Sequence, residues 1–404
     1  MRSGPSVFPS HGPLVLLIAV AMLLAALPVA ASQPEDPGRG QANGQAKDRV
    51  IVRFEQGAST KKRGRAARSV NARSARKISP LASDTVVMKL PPGQTVESAV
   101  AELETQDGVM YAEPDYYVYA ADTSDDPRYG DLWGMHGDAS TPSNQYGTGA
   151  AEAWAAGQIG SSDVYVAVLD EGVNVGHEDL AANMDVGRGW DYLNDDPNVY
   201  DAAADWHGTH VAGTIGARGG NGTGIVGVNW RVKMISLKML GSETNSGAAS
   251  ATIAAIDRVT ALKNGGLNIV AINASWGYQG STSQALVDAI RRSGDAGVLF
   301  VAAAGNAGKD IDKANFAFHP ARDDCSVTAS GAARGWDCII SVANLTSSGG
   351  LAGTSNYGAV HVDLGAPGSG ILSAYEDGYA YAGGTSMAAP HVTGALALCA
   401  SIDP

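Results

Sequence analysis

Three short stretches of this 404-residue chain carry side chains suited to nucleophilic chemistry. Asp170 directly follows the apolar run Val164 to Leu169. His207-Gly208-Thr209-His210-Val211-Ala212-Gly213-Thr214 predicts a small-residue helix with His207 near its amino end. Gly383-Gly384-Thr385-Ser386-Met387-Ala388-Ala389-Pro390-His391-Val392 places a hydroxyl at the mouth of another such helix. Each has a plainer use when taken singly, since acids after strands serve as turn or cap residues and serine is a preferred N-cap. Together they are the set that a nucleophilic hydrolase needs. A serine hydroxyl attacks poorly at neutral pH until a base takes its proton, and an imidazole base needs a carboxylate to fix its tautomer. The helix dipole at Ser386 adds a field that favours developing negative charge. A fourth stretch, Val301 to Gly308, ends a buried run with Asn306. That residue can serve as a turn former or, beside a reactive serine, as an oxyanion donor. The spacing His207-x-x-His210 is a weak metal signal with no third ligand near it.

Those residues need a scaffold that brings them together. Buried-type strands are predicted at Val164 to Leu169, Met234 to Lys238, Ile269 to Asn273, Val298 to Ala303 and Ile339 to Ala343. Helix candidates separate them, among them Ala248 to Leu262 and Ser283 to Ser293. Near-continuous apolar strands alternating with helices imply an α/β fold with a doubly wound, mainly parallel sheet and helices on both faces. In such sheets the residue following each strand lies where ligands bind. Ahead of this region, strands at Arg49 to Phe54, Asp84 to Leu90 and Val109 to Tyr119 with a helix at Val96 to Gln106 make a small α+β module. Lys61 to Lys77 is a basic stretch interrupted by Ala and Ser, read as a solvated loop or helix surface that a protease could cut.

Composition narrows the classes. A 45% hydrophobic content supports a buried core and excludes a disordered chain, and the 51 glycines show no three-residue period of the collagen type. The formal charge of −13 is unevenly spread: Ser32 to Ala121 holds 13 Lys+Arg against 11 Asp+Glu, whereas Asp122 to Pro404 holds 14 against 30. An acidic surface repels a phosphate backbone, so no nucleic-acid partner is expected. Opposite net signs on neighbouring segments favour their association. At the amino terminus, Arg2 precedes the apolar run Leu14 to Leu27, and Val29 and Ala31 suit a signal-peptidase cut before Ser32. Fourteen helical residues rise only about 21 Å, short of the roughly 30 Å hydrocarbon core. Residues 1–31 therefore read as a signal peptide, 32–47 as a polar linker, and the product as a secreted monomer without a membrane anchor. Of three cysteines, Cys325 and Cys338 are spaced to close a short loop in an oxidising compartment, and Cys399 reads as a buried free thiol.

The order Asp, His, Ser and three motifs, VAVLDEGV around Asp170, HGTHVAGT from His207 and GTSMAAPHV around Ser386, resemble the subtilisin-like serine proteases of the secreted subtilase family. The likeness covers about residues 122–400. The preceding segment, with VIVRF from Val50 and YAEPD from Tyr111, resembles the inhibitory propeptide of that family. The resemblance implies a propeptide domain at 48–120, a peptidase domain at 121–404, and a zymogen that cuts itself near Tyr119 to Asp122. It implies that Asp170 orients the imidazole, His207 acts as base and then acid, Ser386 attacks the peptide carbonyl, and Asn306 holds the oxyanion. Ser275, Trp276 and Gly277 resemble the edge strand that pairs with an extended peptide, a recognition mode using main chain rather than particular side chains. Ala303, Ala304 and Gly305 resemble one wall of the pocket for the residue before the cut. No carboxylate follows Asn306, which points to an apolar preference there. Asp126 and Asp179 match positions that share a calcium ion in relatives, Asn221 lies in the loop that often completes that site, and Asp191, Asp195, Asp196 and Asp201 resemble a second calcium loop. No cofactor is required for the chemistry.

Three departures stand out. Glu171 occupies the place where most relatives have Ser or Thr, adding a negative charge near the imidazole. The segment from Pro320 to Ile339 is longer than in many relatives, and the chain ends directly after the Ser386 helix, so it reads as truncated. Glu171 and the short end motivate the rival reading, a non-catalytic binding protein on this fold. Gly222-Thr223-Gly224-Ile225-Val226-Gly227 satisfies G-x-G-x-x-G but precedes a strand, which argues against a dinucleotide site. Ala388 removes the G-x-S-x-G pattern of an α/β-hydrolase.

Overall fold

The computed structural model describes residues 45–79, 83–116, 124–201, 204–241 and 246–403. They form two compact units, 45–116 and 124–403. The signal segment, the linker up to residue 44 and the expected cut region lie outside the described residues.

The first unit runs β1 (Gln45–Phe54), α1 (Thr60–Ser69), β2 (Ser74–Lys77), β3 (Thr85–Lys89), α2 (Val96–Glu104) and β4 (Val109–Tyr116). The strands make an antiparallel sheet in the order β2-β3-β1-β4, a split β-α-β arrangement. Val50, Val52 and Phe54 alternate along β1, as do Val86 and Met88 along β3, and all are buried with Ala66 of α1 and Ala99 and Leu103 of α2. Part of the basic stretch is helix α1, in line with the helix surface read for it, whereas β2 was not expected, and the last linker residues, Gln45 to Lys47, belong to β1. Helix α1 is capped by Ser59 and buries little beyond Ala66, so its charges mask its periodicity. Strand β2 lies at the sheet edge with all four residues exposed and shows no alternation to read.

The second unit contains α3 (Ala150–Ala155), β5 (Gly160–Asp170), β6 (Trp190–Asp191), α4 (Trp206–Gly216), β7 (Arg231–Lys238), α5 (Ala249–Asn264), β8 (Ile269–Ala274), β9 (Tyr278–Gln279), α6 (Gln284–Asp295) and β10 (Leu299–Ala303). It continues with β11 (Phe318–His319), β12 (Ile339–Leu345), β13 (Leu364–Pro367), β14 (Ile371–Tyr375), β15 (Gly378–Ala382) and α7 (Thr385–Ile402). Seven strands form a parallel sheet in the order β13-β12-β10-β8-β5-β7-β6. Its neighbours leave β5 in opposite directions, which opens a crevice beyond the carboxyl end of that strand. Both faces of β5 are buried. Val166 and Val168 pack with Val211 and Ile215 of α4 and Ala388 and Ala397 of α7. Ala167 and Leu169 pack with Ile256 and Val259 of α5 and Ile290 of α6. This two-faced burial is why the strand reads as a continuous apolar run.

Cys325 and Cys338 are disulfide-bonded with Cα atoms 5.2 Å apart, and the staple contributes about 3 kcal/mol by limiting the unfolded chain. Cys399 differs from expectation and is exposed. Ala397 and Leu398 face the core, and a helical step of about 100° carries the next side chain off that face. Among the described residues no helix is long and apolar enough to cross a membrane.

Candidate active site

Asp170 is the last residue of β5 and is 1% exposed. Its Oδ1 accepts from the Glu171 amide at 2.8 Å and lies 2.8 Å from His207 Nδ1. That contact leaves Nε2 as the outward nitrogen of the ring. Desolvation opposes charging of His207, but the attraction and hydrogen bond of Asp170, with Glu171 adding to them, outweigh it and raise the imidazole above the usual histidine range. His207 Nδ1 therefore meets a carboxylate positioned to stabilise imidazolium.

The helix carrying His207 is held from outside itself. Its N-cap residue, Asp205, makes no side-chain cap because Oδ1 accepts from Lys238 Nζ at 2.7 Å and Oδ2 from the Asp201 amide at 2.8 Å. Glu171 takes over that task, with Oε1 accepting from the His207 backbone N–H at 2.6 Å. Glu171 thus does not compete for the ring. Desolvation pushes its carboxyl up to about 7, with Asp170 and Asp205 reinforcing the shift and the His207 N–H opposing it. Lys238 ends β7 directly opposite Asp170 in register and also donates to the Glu171 carbonyl. Sequence reading overlooked Lys238 and Asp205. The signal was present for the lysine, which is the polar residue closing the apolar run Met234 to Leu237 as Asp170 closes its own.

Ser386 sits in the first turn of α7. Pro390 in that helix lacks an N–H, so the Ser386 carbonyl has no partner four residues on. Ser275 Oγ fills the gap, donating to it at 2.8 Å, while Ser386 Oγ donates to the Ser275 carbonyl at 3.1 Å. His207 and Ser386 line the same cavity. Asn306 follows β10, and its Oδ1 accepts from the Thr385 backbone N–H at 2.8 Å and from Thr385 Oγ1 at 3.1 Å. A backbone N–H can only donate, so the oxygen must face Thr385 and the NH2 group is the free end. Asn356 braces the same loop, donating to Ala304 O and accepting from the amides of Ala307 and Lys309. Neither Thr385 nor Asn356 was legible in sequence, because each acts on a loop at least 47 residues away.

A cavity of about 530 Å³ gathers these parts: His207, Ser386, Asn306, Ser275, Trp276 and Gly277 line it, together with Ala303 and Gly305. Ala304 is fully buried and outside that lining. Elsewhere, the loop after α4 wraps two buried carboxylates. Asp126 accepts from the amides of Gly220, Asn221 and Gly222, and Asp179 accepts from Asn221 Nδ2, the Ile225 amide and the Tyr379 hydroxyl. Desolvation raises Asp179, and the charge of Asp126 adds to the shift. Asp191 and Asp196 accept from loop amides, Asp201 pairs with Lys238, and Asn194 Nδ2 donates to both Asp191 and Asp201. Among the described residues no three His, Cys, Asp or Glu side chains are grouped to hold a metal.

Residues 161–404 match the subtilase family, and residues 37–115 match the fervidolysin N-terminal prodomain. The chain is 35% identical over 356 residues to a thermophilic serine proteinase of Bacillus sp. (strain AK1), covering 87% of this chain and 77% of the relative. It is 30% identical over 345 residues to an extracellular protease of Xanthomonas campestris, covering 76% of this chain but only 54% of the relative. Among solved structures, proteases from Pseudoalteromonas arctica give a TM-score of 0.54 at 29% identity, over 69% of this chain and 86% of the other. An acid, an imidazole and a hydroxyl raised from β5, α4 and α7 in the subtilase order agree with these matches, and the chain belongs to the subtilase family of serine proteases, with an N-terminal prodomain ahead of the peptidase domain.

Proposed function

We propose that this protein is a secreted endopeptidase, made as a self-processed zymogen, that hydrolyses peptide bonds through Asp170, His207 and Ser386. As Ser386 Oγ bonds to the scissile carbonyl carbon, its proton passes to His207 Nε2, and the resulting imidazolium is stabilised by Asp170. The negative oxygen of the tetrahedral intermediate accepts from the Asn306 NH2 group within the favourable field of the α7 amino end. His207 then protonates the departing amine, leaving an acyl ester on Ser386. Water hydrolyses that ester by the same steps, its proton going to His207 and then back to Ser386 Oγ. An extended peptide pairs along Ser275 to Gly277.

The observation that carries this reading is the 2.8 Å contact between His207 Nδ1 and buried Asp170, with His207, Ser386 and Asn306 lining one cavity. A serine-directed fluorophosphonate tests it. Wild-type protein should be labelled and Ser386→Ala should not, whereas well-folded wild type that takes no label would favour a binding protein. The prodomain acts as an intramolecular inhibitor, and cleavage near Tyr119 to Asp122 is by the chain itself. Pure Ser386→Ala protein should stay uncut; cutting at the wild-type rate would refute self-processing. Secretion rests on the Leu14 to Leu27 run and on a relative named an extracellular protease. An exported product beginning at Ser32 supports it.

The oxygen-rich loop fits a hard cation. Two buried carboxylates repel each other there, and calcium held by Asp126, Asp179 and Asn221 would offset that repulsion and stabilise the fold. A chelator should lower the melting temperature of wild type and have little further effect on Asp179→Asn. An unmoved wild-type transition would exclude a structural calcium.

A further inference from the structure

Two backbone segments border the cavity beside Ser386, one leaving β8 and one leaving β10. The strands are in register at Ala274 and Ala302, so Gly277 and Gly305 stand at matching positions three residues beyond the last pair. Between them lies Phe318. A β-carbon built on Gly277 would stand 2.3 and 2.6 Å from Phe318 Cε1 and Cζ, and one built on Gly305 would stand 2.8 and 2.9 Å from the same two atoms. One edge of a single ring therefore presses on both backbones. Only residues without a side chain leave room for it.

We propose that Phe318 plugs the slot into which the side chain preceding the scissile bond would enter, restricting cleavage to sites after Gly, Ala or Ser. The ring is held where it is. Phe318 packs against the α5 and α6 side of the core, and β11 pairs antiparallel with β9, setting His319 opposite Tyr278. His319 is buried, with its ring 5.4 Å from that of Tyr278 and its Nδ1 2.6 Å from Asp323 Oδ1. The backbone behind Phe318 is braced as well, since its carbonyl accepts from the Arg322 amide at 3.0 Å. A large substrate side chain would have to displace a ring whose strand is paired with β9 and whose carbonyl is held by the Arg322 amide. The apolar preference read from the absence of a carboxylate after Asn306 becomes a preference for small residues.

The inference rests on Ser386 being the nucleophile, and its test separates the two claims. Peptide anilides differing only in the last residue, Ala or Phe, are compared on protein whose concentration of reactive serine has been counted in a separate aliquot with a small fluorophosphonate, a probe that puts no side chain in the slot. Wild type should prefer Ala by about tenfold or more in kcat/KM, and Phe318→Ala and Phe318→Val should each raise the Phe-to-Ala ratio by about tenfold or more. Wild type that takes the label and cleaves the Phe substrate as well as the Ala substrate overturns the plug but leaves the nucleophile standing. So does an unmoved ratio in both variants while they still take the label. Wild type that takes no label removes the nucleophile, and the plug with it.

Discussion

Behind His207 the buried polar groups are charged, whereas behind Ser386 they are neutral amides and hydroxyls. Asp170, Glu171, Asp205 and Lys238 are each less than 5% exposed and share one cluster under the α4 amino end. On the other side, Thr393 Oγ1 donates to Asn273 Oδ1, Asn273 Nδ2 donates to Ser275 Oγ, and Ser275 Oγ donates to the Ser386 carbonyl, each at 2.8 Å. The contrast follows from the work that the proposed mechanism gives each side. The His207 side must hold a proton that comes and goes, so it needs charge of both signs. The Ser386 side must hold an atom in place and meet a transient oxyanion, which neutral dipoles do at any pH. A charged cluster is also the less forgiving, because losing one member strands the others without water.

Lys238→Met is the largest blow to this arrangement. It leaves Asp205 buried beside Asp170 and Glu171, and should cost about 3–5 kcal/mol in denaturant unfolding. A cost below 1 kcal/mol would mean that the cluster is not electrostatically coupled. Asn306→Ala should lower kcat by about 10²–10³-fold with little change in KM, a range established on a subtilisin and so carried over from the family rather than from this geometry. Thr393→Val breaks the neutral relay at its far end and should cost about 1–3 kcal/mol, less than the lysine. A cost equal to that of Lys238→Met would erase the contrast between the two sides.

Glu171→Gln is the gentlest change, since an amide oxygen can still accept the His207 N–H. Its effects lie in pH. The carboxyl titrates near 7 in the folded protein and at about 4.5 when exposed, so the folded state favours its neutral form. The stability this gives is fully present below about 4.5 and is lost as pH rises through about 7. Wild type should therefore lose stability across that window, and Glu171→Gln should lose less. The ionised carboxylate also helps hold the His207 proton, so removing its charge should move the acid limb of kcat/KM toward lower pH. An acid limb that stays put would leave Glu171 a helix cap and nothing more.

The parallel sheet was legible because its strands are buried on both faces and so read as apolar runs, as Val164 to Leu169 and Ile269 to Asn273 do. Asp170 was legible for a related reason, since a polar residue closing such a run is forced to the carboxyl edge of the sheet, whereas His207 and Ser386 were read from the starts of small-residue helices. Strands β6, β9 and β11, of two residues each, carry too little pattern to read, and β13 is broken up by Gly365 and Pro367. The edge strand β2 and the basic helix α1 bury so little that charge hides their form. Phe318 could not be placed from its neighbours, because what makes it matter is contact with Gly277 and Gly305 on the segments that leave β8 and β10.

By itself the sequence determined the kinds of side chain available, their order along the chain and the strand or helix each stands on, because these follow from local pattern and motif. Only the tertiary structure decided which groups share a proton or a space. Glu171 became a cap because Asp205 was already engaged by Lys238, and Ser275 supports Ser386 because Pro390 leaves a carbonyl unpaired. Hydrogen bonds and steric contact act over about 3 Å, and distances of that size between residues dozens of positions apart exist only once the chain has closed on itself.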